Sequence, residues 1–335
     1  MVRHDFASDN VAGAMPEVLE ALARCNHGFA GAYGEDETSV RAGDLIRRLL
    51  DADAEVRFVA SGTAGNALSL AALAAPHEAV LAHEFSHLAT DETGAPGFFG
   101  AGMGIIQLSG ASGRIESAAL GKALDAPEHA HTQSPAALSL TNATECGTLY
   151  SEDGLRVLVS RAKERDLKVH VDGARLANAV AAGFDPKSLA RMGVDIFVLG
   201  GTKAGATPTE AIVLMDKNFG RRFDARLKHS GQLVSKARFL AAPWIGMLKT
   251  GAWTGRAGHA NAMASRLAAL MPFPLVHPVE ANGVFVAMDE TARRRLEDAG
   301  WFVYRFLDGS VRFMCSWATT PEAVDELGET LRKIA

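Results

Sequence analysis

The sequence predicts an α/β protein in which helices flank a mostly parallel sheet. Short apolar, β-branched runs alternate with alanine-rich segments of helical period, as in repeated β–α units. The chain has 335 residues, which suits one large domain and a smaller one. In such sheets ligands bind beyond the carboxyl ends of the strands, so functional residues are expected there.

The large sheet is predicted from six apolar runs before residue 216. These strands are 56–60, 78–82, 137–141, 168–172, 195–199 and 211–215. Helices are predicted at 64–75, after the first strand, and at 154–165, between the third and the fourth.

A different pattern begins near Leu233. A largely helical stretch runs to Met271, with candidate breaks at Pro243, Gly251 and Gly255. Strands at 283–288 and 310–317 and helices at 290–299 and 321–334 follow. This pattern indicates a small α+β module joined by a long helix. We predict three parts, an N-terminal segment (1–40), a large domain (41–235), and a long helix with a small C-terminal domain (236–335).

Composition and charge exclude several classes of protein. The net charge is −5 with both signs interspersed, which argues against nucleic acid or an anionic membrane as a partner. Cys25, Cys146 and Cys315 are widely spaced, so a disulfide scaffold and a cysteine-built zinc site are excluded, and no metal site is predicted. The N-terminus lacks an apolar signal core, and no apolar run approaches the roughly 20 residues that span a bilayer. We expect a cytoplasmic protein.

Lys203 is the most informative residue. It follows the apolar run 195–199 and lies among glycines and small residues in Gly200-Gly201-Thr202-Lys203-Ala204-Gly205. A buried ammonium is costly, so a lysine held here tends to lose its proton or gain a partner, and it is a candidate Schiff-base nucleophile. A surface lysine in a β–α loop is an equally good interpretation of this segment alone.

The segment Ser61-Gly62-Thr63-Ala64-Gly65-Asn66 follows a strand and opens a helix. Its glycines let the backbone approach an anion, its hydroxyls can donate, and the helix N-terminus adds free N–H groups, so it suits a phosphate. It is not the GxGxxG fingerprint of a dinucleotide site. A plain serine or threonine N-cap is the alternative interpretation.

Asp172 ends the predicted strand 168–172, where a buried carboxylate needs a strong partner. A protonated pyridine nitrogen is such a partner in pyridoxal phosphate enzymes. An N-cap for the next helix is the alternative.

The order of these three features is that of fold-type-I pyridoxal phosphate enzymes. With Asp172-Gly173-Ala174-Arg175-Leu176 followed by Lys203, the chain resembles the low-specificity L-threonine aldolase family, within the β-eliminating lyase superfamily. The resemblance extends over nearly the whole chain, through Phe6-Ala7-Ser8-Asp9-Asn10, Tyr33-Gly34-Glu35-Asp36, His87-Leu88-Ala89-Thr90-Asp91-Glu92-Thr93-Gly94 and Val311-Arg312-Phe313. It implies a fold-type-I large domain with a mostly parallel seven-stranded sheet, which binds the cofactor, and a small α+β C-terminal domain.

The resemblance implies a cofactor site for pyridoxal 5'-phosphate. Lys203 would carry the cofactor as a Schiff base. Asp172 would keep its pyridine nitrogen protonated, and Ser61, Gly62 and Thr63 would bind its phosphate.

The resemblance also implies residues that act on the substrate. His87 would stack on the cofactor ring and contact the β-hydroxyl, and His131 would approach the same hydroxyl. Arg175, which also belongs to the implied cofactor site, would bind the substrate carboxylate together with Arg312 and Ser8, because a guanidinium fork suits a carboxylate. Taken alone, each arginine is better explained as a surface ion-pair partner.

Several residues keep open roles. Asn142 and Glu145 end a strand at the expected cofactor face, without an assigned function. Tyr33, Arg226 and Lys228 are candidates to contact phosphate or substrate, including from a neighbouring subunit.

Two segments depart from the commoner family pattern. The run Arg312-Phe313-Met314-Cys315-Ser316-Trp317 lacks the usual Thr-His pair after the arginine. The run Asn142-Ala143-Thr144-Glu145-Cys146-Gly147 replaces a Gly-Gly-rich one and resembles a bacterial subgroup that includes phenylserine aldolases. The preferred side chain of the substrate is therefore left open.

The resemblance implies a pyridoxal-phosphate-dependent carbon–carbon lyase, an aldehyde-lyase of amino acid metabolism. It would cleave L-threonine, L-allo-threonine or a related L-3-hydroxy-2-amino acid, such as phenylserine, to glycine and an aldehyde. The base would be His87, His131 or a water molecule. The alternative is a pyridoxal-phosphate-dependent β-eliminating lyase or racemase acting on a small amino acid. A homo-oligomer, dimer or tetramer, is also implied.

Overall fold

Strands and helices alternate through most of the chain in the computed structural model, which describes residues 2–127 and 129–335. The strands are β1 (Glu55–Val59), β2 (Glu78–His83), β3 (Gly104–Leu108), β4 (Ser134–Thr141), β5 (Lys168–Gly173), β6 (Ile196–Gly200), β7 (Glu210–Leu214), β8 (Gly283–Val286), β9 (Tyr304–Arg305) and β10 (Val311–Met314). The helices are α1 (Pro16–Cys25), α2 (Glu37–Leu50), α3 (Gly62–Leu73), α4 (His87–Thr90), α5 (Ala95–Phe99), α6 (Ser117–Leu124), α7 (Glu152–Lys163), α8 (Leu176–Ala181), α9 (Lys187–Met192), α10 (Gly220–His229), α11 (Arg238–Thr250), α12 (Ala252–Leu270), α13 (Glu290–Asp298) and α14 (Pro321–Ile334). None of the helices in these ranges is long and apolar enough to cross a membrane.

The large sheet contains seven of the described strands, in the order β1-β7-β6-β5-β4-β2-β3. The pairs from β3 through β2, β4 and β5 to β6 are parallel, whereas β7 runs antiparallel to both β6 and β1. The predicted mostly parallel, seven-stranded sheet is confirmed. Because parallel strands end at the same edge, the segments that follow β1, β2, β4, β5 and β6 lie along one edge of this sheet.

The six strands predicted from apolar runs all occur, with small shifts at their ends. β3 was not predicted. It lies at the edge of the sheet, and of its five residues, all of them described, Leu108 alone is buried. Its exposed Gln107 interrupts the apolar pattern on which the prediction relied. β9 was missed for the same reason, since both of its residues are exposed.

The long helical stretch is divided at Gly251, as predicted. Gly251 has φ 74° and lies between α11 and α12, a left-handed conformation that glycine adopts at low cost. The predicted breaks at Pro243 and Gly255 are wrong, because α11 continues through Pro243 and α12 through Gly255. Trp244, beside the proline, is fully buried, and its indole N–H donates to the hydroxyl of Thr209 over 3.1 Å, so α11 is fixed against the core.

A second sheet, with the order β8-β10-β9, packs with α13 and α14 around its own apolar core. Phe6 belongs to this core, with its ring centroid 5.6 Å from that of Trp301. The carbonyl of Phe6 accepts a 2.8 Å hydrogen bond from the N–H of Met314 on β10. The N-terminal segment is thereby fixed against the small sheet. The boundaries 1–40, 41–235 and 236–335 stay a prediction.

Candidate active site

A cavity of about 550 Å³ is lined by the N-terminal segment, the carboxyl edge of the large sheet and the small sheet. The structure brings five of the predicted site residues to its wall, namely Ser8, His87, Arg175, Lys203 and Arg312. The remaining lining residues are Asn10, Val11, Phe85, Thr90, Asp91, Glu145, Tyr304, Arg305, Phe306 and Leu307.

Lys203 reaches this cavity from the loop between β6 and β7. The loop is a tight turn, in which the N–H of Gly205 donates to the carbonyl of Thr202 and that of Ala206 to Gly201, each over 3.0 Å. A Cβ on Gly200 would lie 2.0 Å from the carbonyl oxygen of Ala174, so glycine is required at the end of β6. The Lys203 side chain is half-buried and has no hydrogen-bond or ion-pair partner among the described residues. Its amine is therefore available to a ligand.

Asp172 is a buried carboxylate at the carboxyl end of β5, with an exposed fraction of 3%. Its Oδ1 accepts the N–H of Ala174 over 2.9 Å, and its Oδ2 accepts Nδ2 of Asn66 over 2.8 Å. Burial acts to raise its pKa, but the charge of Lys203 and these hydrogen bonds outweigh burial and leave the pKa of Asp172 lowered. The site thus contains an ionised carboxylate that can hold a cationic group.

A chain of hydrogen bonds joins Asp172 to His87. Asn66 also donates to Oε1 of Glu92 over 2.8 Å, and the same oxygen lies 2.9 Å from Nδ1 of His87. The hydrogen bond to Glu92 raises the pKa of His87, and burial raises the pKa of Glu92. Both shifts favour a proton shared between the ring and the carboxyl group.

The predicted phosphate turn begins α3. The hydroxyl of Ser61 accepts the N–H of Ala64 over 3.2 Å, so Ser61 is the N-cap, as the alternative interpretation states. The N–H groups of Gly62 and Thr63 lie in the first turn, where a helix offers them no acceptor. A Cβ on Gly62 would have none of the described atoms within 4 Å, which leaves open space before the helix. Asn66 lies about 6 Å further along the axis and contacts Asp172, so this turn and the carboxylate are neighbours.

Arg175 is fixed by a carboxylate that the sequence analysis missed. Its Nε and Nη2 donate to Oδ2 and Oδ1 of Asp9 over 2.7 and 3.0 Å, in a pair whose side chains are 12% and 1% exposed. Nδ2 of Asn282 also donates to Asp9, over 3.1 Å. The fork expected for the substrate therefore holds Asp9, and Nη1 is the Arg175 nitrogen left for a ligand. The sequence indicated Asp9 only through its position beside Ser8, in the N-terminal motif that resembles the family.

Arg312 differs from Arg175 because its guanidinium has no hydrogen-bond or ion-pair partner in the described part of the chain, and its buried Nε is unsatisfied. It lies on β10, opposite Phe285 and Tyr304 in the small sheet. Burial, and then the charge of Arg175, lower the pKa of Arg312. A guanidinium without a counterion at a cavity wall suits a carboxylate ligand.

Glu145, which had no assigned role, also lies at the wall, directly after β4. Its Oε1 accepts the backbone N–H of His87 over 2.9 Å and the hydroxyl of Thr141 over 3.2 Å. Burial, and then the charge of Asp172, raise the pKa of Glu145 to about 7.

The structure does not bring His131 to the cavity of its own chain. His131 precedes β4 and is exposed at the amino edge of the sheet, whereas the cavity lies at the carboxyl edge, about 26 Å away along eight residues of strand. His131 therefore does not line this cavity in its own chain, and its role at the β-hydroxyl stays a prediction.

The three residues with open roles lie elsewhere. Tyr33 lines a different cavity beside β1 and α2, and the ammonium of Lys228 lies 4.7 Å from the centre of its ring. Arg226 is exposed on α10. Contacts from a neighbouring subunit stay a prediction for all three.

Residues 5–291 match the model of the beta-eliminating lyase family. The chain belongs to this family. It is similar over nearly its full length to low specificity L-threonine aldolases from Pseudomonas sp. (strain NCIMB 10558) and Pseudomonas aeruginosa, with 40% and 42% identity over 98% of this chain and 97% of each relative. The prediction of a pyridoxal-phosphate-dependent lyase is confirmed by this membership.

Solved structures confirm the fold. A threonine aldolase from Leishmania major is 29% identical, with a TM-score of 0.93 over 99% of this chain and 100% of its own. An aspartate aminotransferase from Thermus thermophilus is 18% identical, with a TM-score of 0.76 over 100% of this chain and 92% of its own. The second likeness concerns the fold alone, and it agrees with the predicted fold-type-I architecture.

Proposed function

We propose that this lyase cleaves L-threonine, L-allo-threonine and related L-3-hydroxy-2-amino acids to glycine and an aldehyde, with pyridoxal 5'-phosphate as cofactor. One observation carries the proposal, namely that the amine of Lys203 and the unpaired guanidinium of Arg312 line one cavity. A cofactor aldehyde and an amino acid carboxylate would each find a partner there. The similarity to low specificity L-threonine aldolases supports the reaction class.

The residues present fit pyridoxal phosphate. The open space before Gly62 and the N–H groups of Gly62 and Thr63 would receive the phosphate, with Ser61 capping the same turn. Asp172, buried and ionised, would face the pyridine nitrogen, and Lys203 would bond the aldehyde carbon. Bound in this way, the cofactor would supply an acceptor for the electron pair left at Cα when a bond to Cα breaks.

Arg312 and Ser8 bind and orient the substrate. The guanidinium of Arg312 pairs with the carboxylate, and Nη1 of Arg175 adds a second cation. The hydroxyl of Ser8 accepts the N–H of Asn10 over 3.2 Å, so its own proton remains free to be donated to the carboxylate. Fixing the carboxylate fixes the rotation about Cα, and this selects which bond breaks.

His87 contributes a polar contact for the β-hydroxyl. Its Nδ1 is occupied by Glu92, which leaves Nε2 as the ring nitrogen for a ligand. The hydrogen-bond chain through Asn66 to Asp172 fixes this ring relative to the cofactor end of the site.

An apolar part of the wall would receive the side chain of the substrate. Val11, Phe85, Phe306 and Leu307 line the cavity, and the rings of Phe85 and Phe306 are 6.0 Å apart, edge to face. Such a surface favours an aldehyde with an aromatic group as well as acetaldehyde. We therefore include phenylserine among the substrates.

The test is product analysis with L-threonine, L-allo-threonine and L-phenylserine. We expect glycine with acetaldehyde or benzaldehyde, a yellow chromophore that borohydride reduces, and loss of both in Lys203→Ala. Lys168→Ala, at a lysine exposed on β5 beside Asp195, is the matched control that keeps both. Ammonia with a keto acid, or the inverted amino acid, would instead identify a β-eliminating lyase or racemase and refute the proposal.

We also propose a homo-oligomer, a dimer or a tetramer, in the cytoplasm. Phe29 and Phe98 have exposed fractions of 109% and 79%. Burying such apolar rings in an interface between subunits would be favourable. Cys25, Cys146 and Cys315 are free thiols, which suits a reducing compartment. Sedimentation equilibrium measures the number of subunits.

A further inference from the structure

Glu145 lines the same cavity as Lys203 and Arg312, but none of the binding roles above uses it. Its Oε1 is held by the backbone N–H of His87 and the hydroxyl of Thr141, over 2.9 and 3.2 Å. These two bonds fix the carboxyl group between the carboxyl end of β4 and the start of α4.

The second oxygen of Glu145 has a different environment. Within the described residues, Oε2 is buried and has no hydrogen-bond partner. Buried polar atoms are nearly always paired, so an unpaired carboxyl oxygen in a ligand cavity indicates that the ligand provides its partner. The hydroxyl of the substrate is a donor of the required kind.

The groups that face Glu145 leave it able to bind and release a proton near neutral pH. Asp172, at the end of β5, adds its negative charge to the effect of burial, and together they raise the pKa of Glu145 to about 7. Arg175 follows β5, but its fork is already filled by an aspartate. Burial raises the pKa values of Cys146 and Tyr150, on the adjoining loop, so both stay protonated and uncharged.

His87 is the other proton-binding group suggested for the hydroxyl. Its Nδ1 lies 2.9 Å from Oε1 of Glu92, a hydrogen bond that raises the pKa of His87, and its Nε2 is left to contact the hydroxyl. His131 lies at the opposite edge of the sheet. Asp91 also lines the cavity, but its side chain is exposed to solvent.

On the basis of the proposed function, we infer that Glu145 is a further catalytic residue, whose Oε2 accepts the proton of the substrate β-hydroxyl as the Cα–Cβ bond breaks. The O–H electron pair becomes the second carbon–oxygen bond of the aldehyde, and the Cα–Cβ electron pair stays with Cα. Cα then takes a proton from water to give glycine, and Glu145 returns its proton to water, so the step is balanced.

The first test is kinetic and uses the holoenzyme. In Glu145→Gln, which keeps the size and an acceptor for His87 and Thr141, we expect kcat for cleavage to fall by about 10²–10⁴-fold, the usual contribution of a general base. Exchange of the α-hydrogen of glycine with solvent should survive, because it needs no hydroxyl proton. In the wild type, kcat/KM should rise as pH increases through about 7, since the base must be ionised, and this limb should be lost in the variant.

The second test does not depend on turnover. Infrared difference spectra of the cofactor-free protein, taken across neutral pH, should contain a buried carboxyl band that titrates near pH 7 and is absent in Glu145→Gln. Glu145→Asp, which keeps the carboxyl group, should recover part of the cleavage rate. Glu280→Gln, a partly buried glutamate outside the cavity that accepts the N–H of Leu149, should match the wild type and is the control.

Three results overturn the inference: cleavage by Glu145→Gln within a few-fold of the wild type, equal loss of cleavage and glycine exchange, or a missing titration near neutral pH. Each differs from failure of the proposed function, which would appear as absence of retro-aldol products from the wild type itself.

Discussion

Replacing Asp9 by asparagine is expected to destabilise the protein strongly, although Asp9 lies in an irregular N-terminal segment. Asp9 accepts two hydrogen bonds from Arg175 and one from Asn282, so it joins the N-terminal segment to both the large and the small sheet. Its side chain is 1% exposed and that of Arg175 is 12% exposed. Asparagine keeps the shape but removes the counterion, and it leaves a guanidinium charge buried without compensation.

The magnitude follows from that burial. Breaking a buried ion pair by removing one partner costs about 3–5 kcal/mol of unfolding free energy. With about 2 °C per kcal/mol for a large domain, Tm should fall by about 6–10 °C. Burial acts to raise the pKa of Asp9, but the charge and hydrogen bonds of Arg175 outweigh burial and leave it lowered. The contribution is therefore present above the ordinary pKa of an aspartate and is lost as pH falls toward the depressed one.

The assay is thermal unfolding at fixed, saturating cofactor, since ligand binding shifts Tm. Asp325→Asn is the matched control, because Asp325 accepts the same two bonds from Nε and Nη2 of Arg266, at 2.8 and 2.6 Å, with both side chains 47% exposed. Water screens that pair, so its loss should hardly move Tm. Equal effects of the two substitutions, or a gap between wild type and Asp9→Asn that stays constant into acid, would refute the reasoning.

Two further substitutions test the cofactor and substrate sites. Gly62→Ala should keep the Tm of the cofactor-free protein but weaken pyridoxal phosphate binding at least about tenfold, since the new methyl group occupies the open space before α3. Gly255→Ala, where the described residues leave the same open space outside the lining of the cavity, should leave the affinity unchanged in a fluorescence titration. Arg312→Met should lower kcat/KM about 10–100-fold through lost charge-assisted hydrogen bonds, while Tm of the free protein stays equal or rises. A lower Tm would show that Arg312 has a stabilising partner.

The order of chemical features along the chain was enough to predict the fold and the cofactor. Lys203, Asp172 and the turn at Ser61 each had a second explanation alone, and their order after successive strands made one explanation dominate. The edge strand β3 could not be predicted in this way, because a half-exposed strand lacks the apolar run of a central one. His131 precedes a parallel strand and so lies, within its own chain, at the edge opposite the ligands, which a resemblance of the local sequence does not indicate.

The partners of charged residues were the least predictable feature. Asp9 and Arg175 are 166 positions apart, and no local pattern indicates that they pair. Asn66 belongs to the predicted phosphate turn and Glu92 to the motif that begins at His87. Their contact with each other depends on how α3 packs against the segment that contains α4. Such contacts are set by the tertiary fold, and local patterns in the sequence do not reveal them.

The two arginines of the cavity differ in whether the chain supplies a counterion, and this difference matters for function. Arg175 receives its counterion from the chain, and this pair positions the N-terminal segment so that Ser8 reaches the cavity wall. Arg312 receives no counterion from the described residues, although burial makes its charge costly. The protein is therefore less stable than it would be with an apolar residue at that position, and a substrate carboxylate removes the cost. Part of the binding free energy of the substrate thus comes from pairing a charge that the folded protein leaves unpaired. Substitutions of Arg312 should therefore change the stability of the free protein and its affinity for an amino acid in opposite directions.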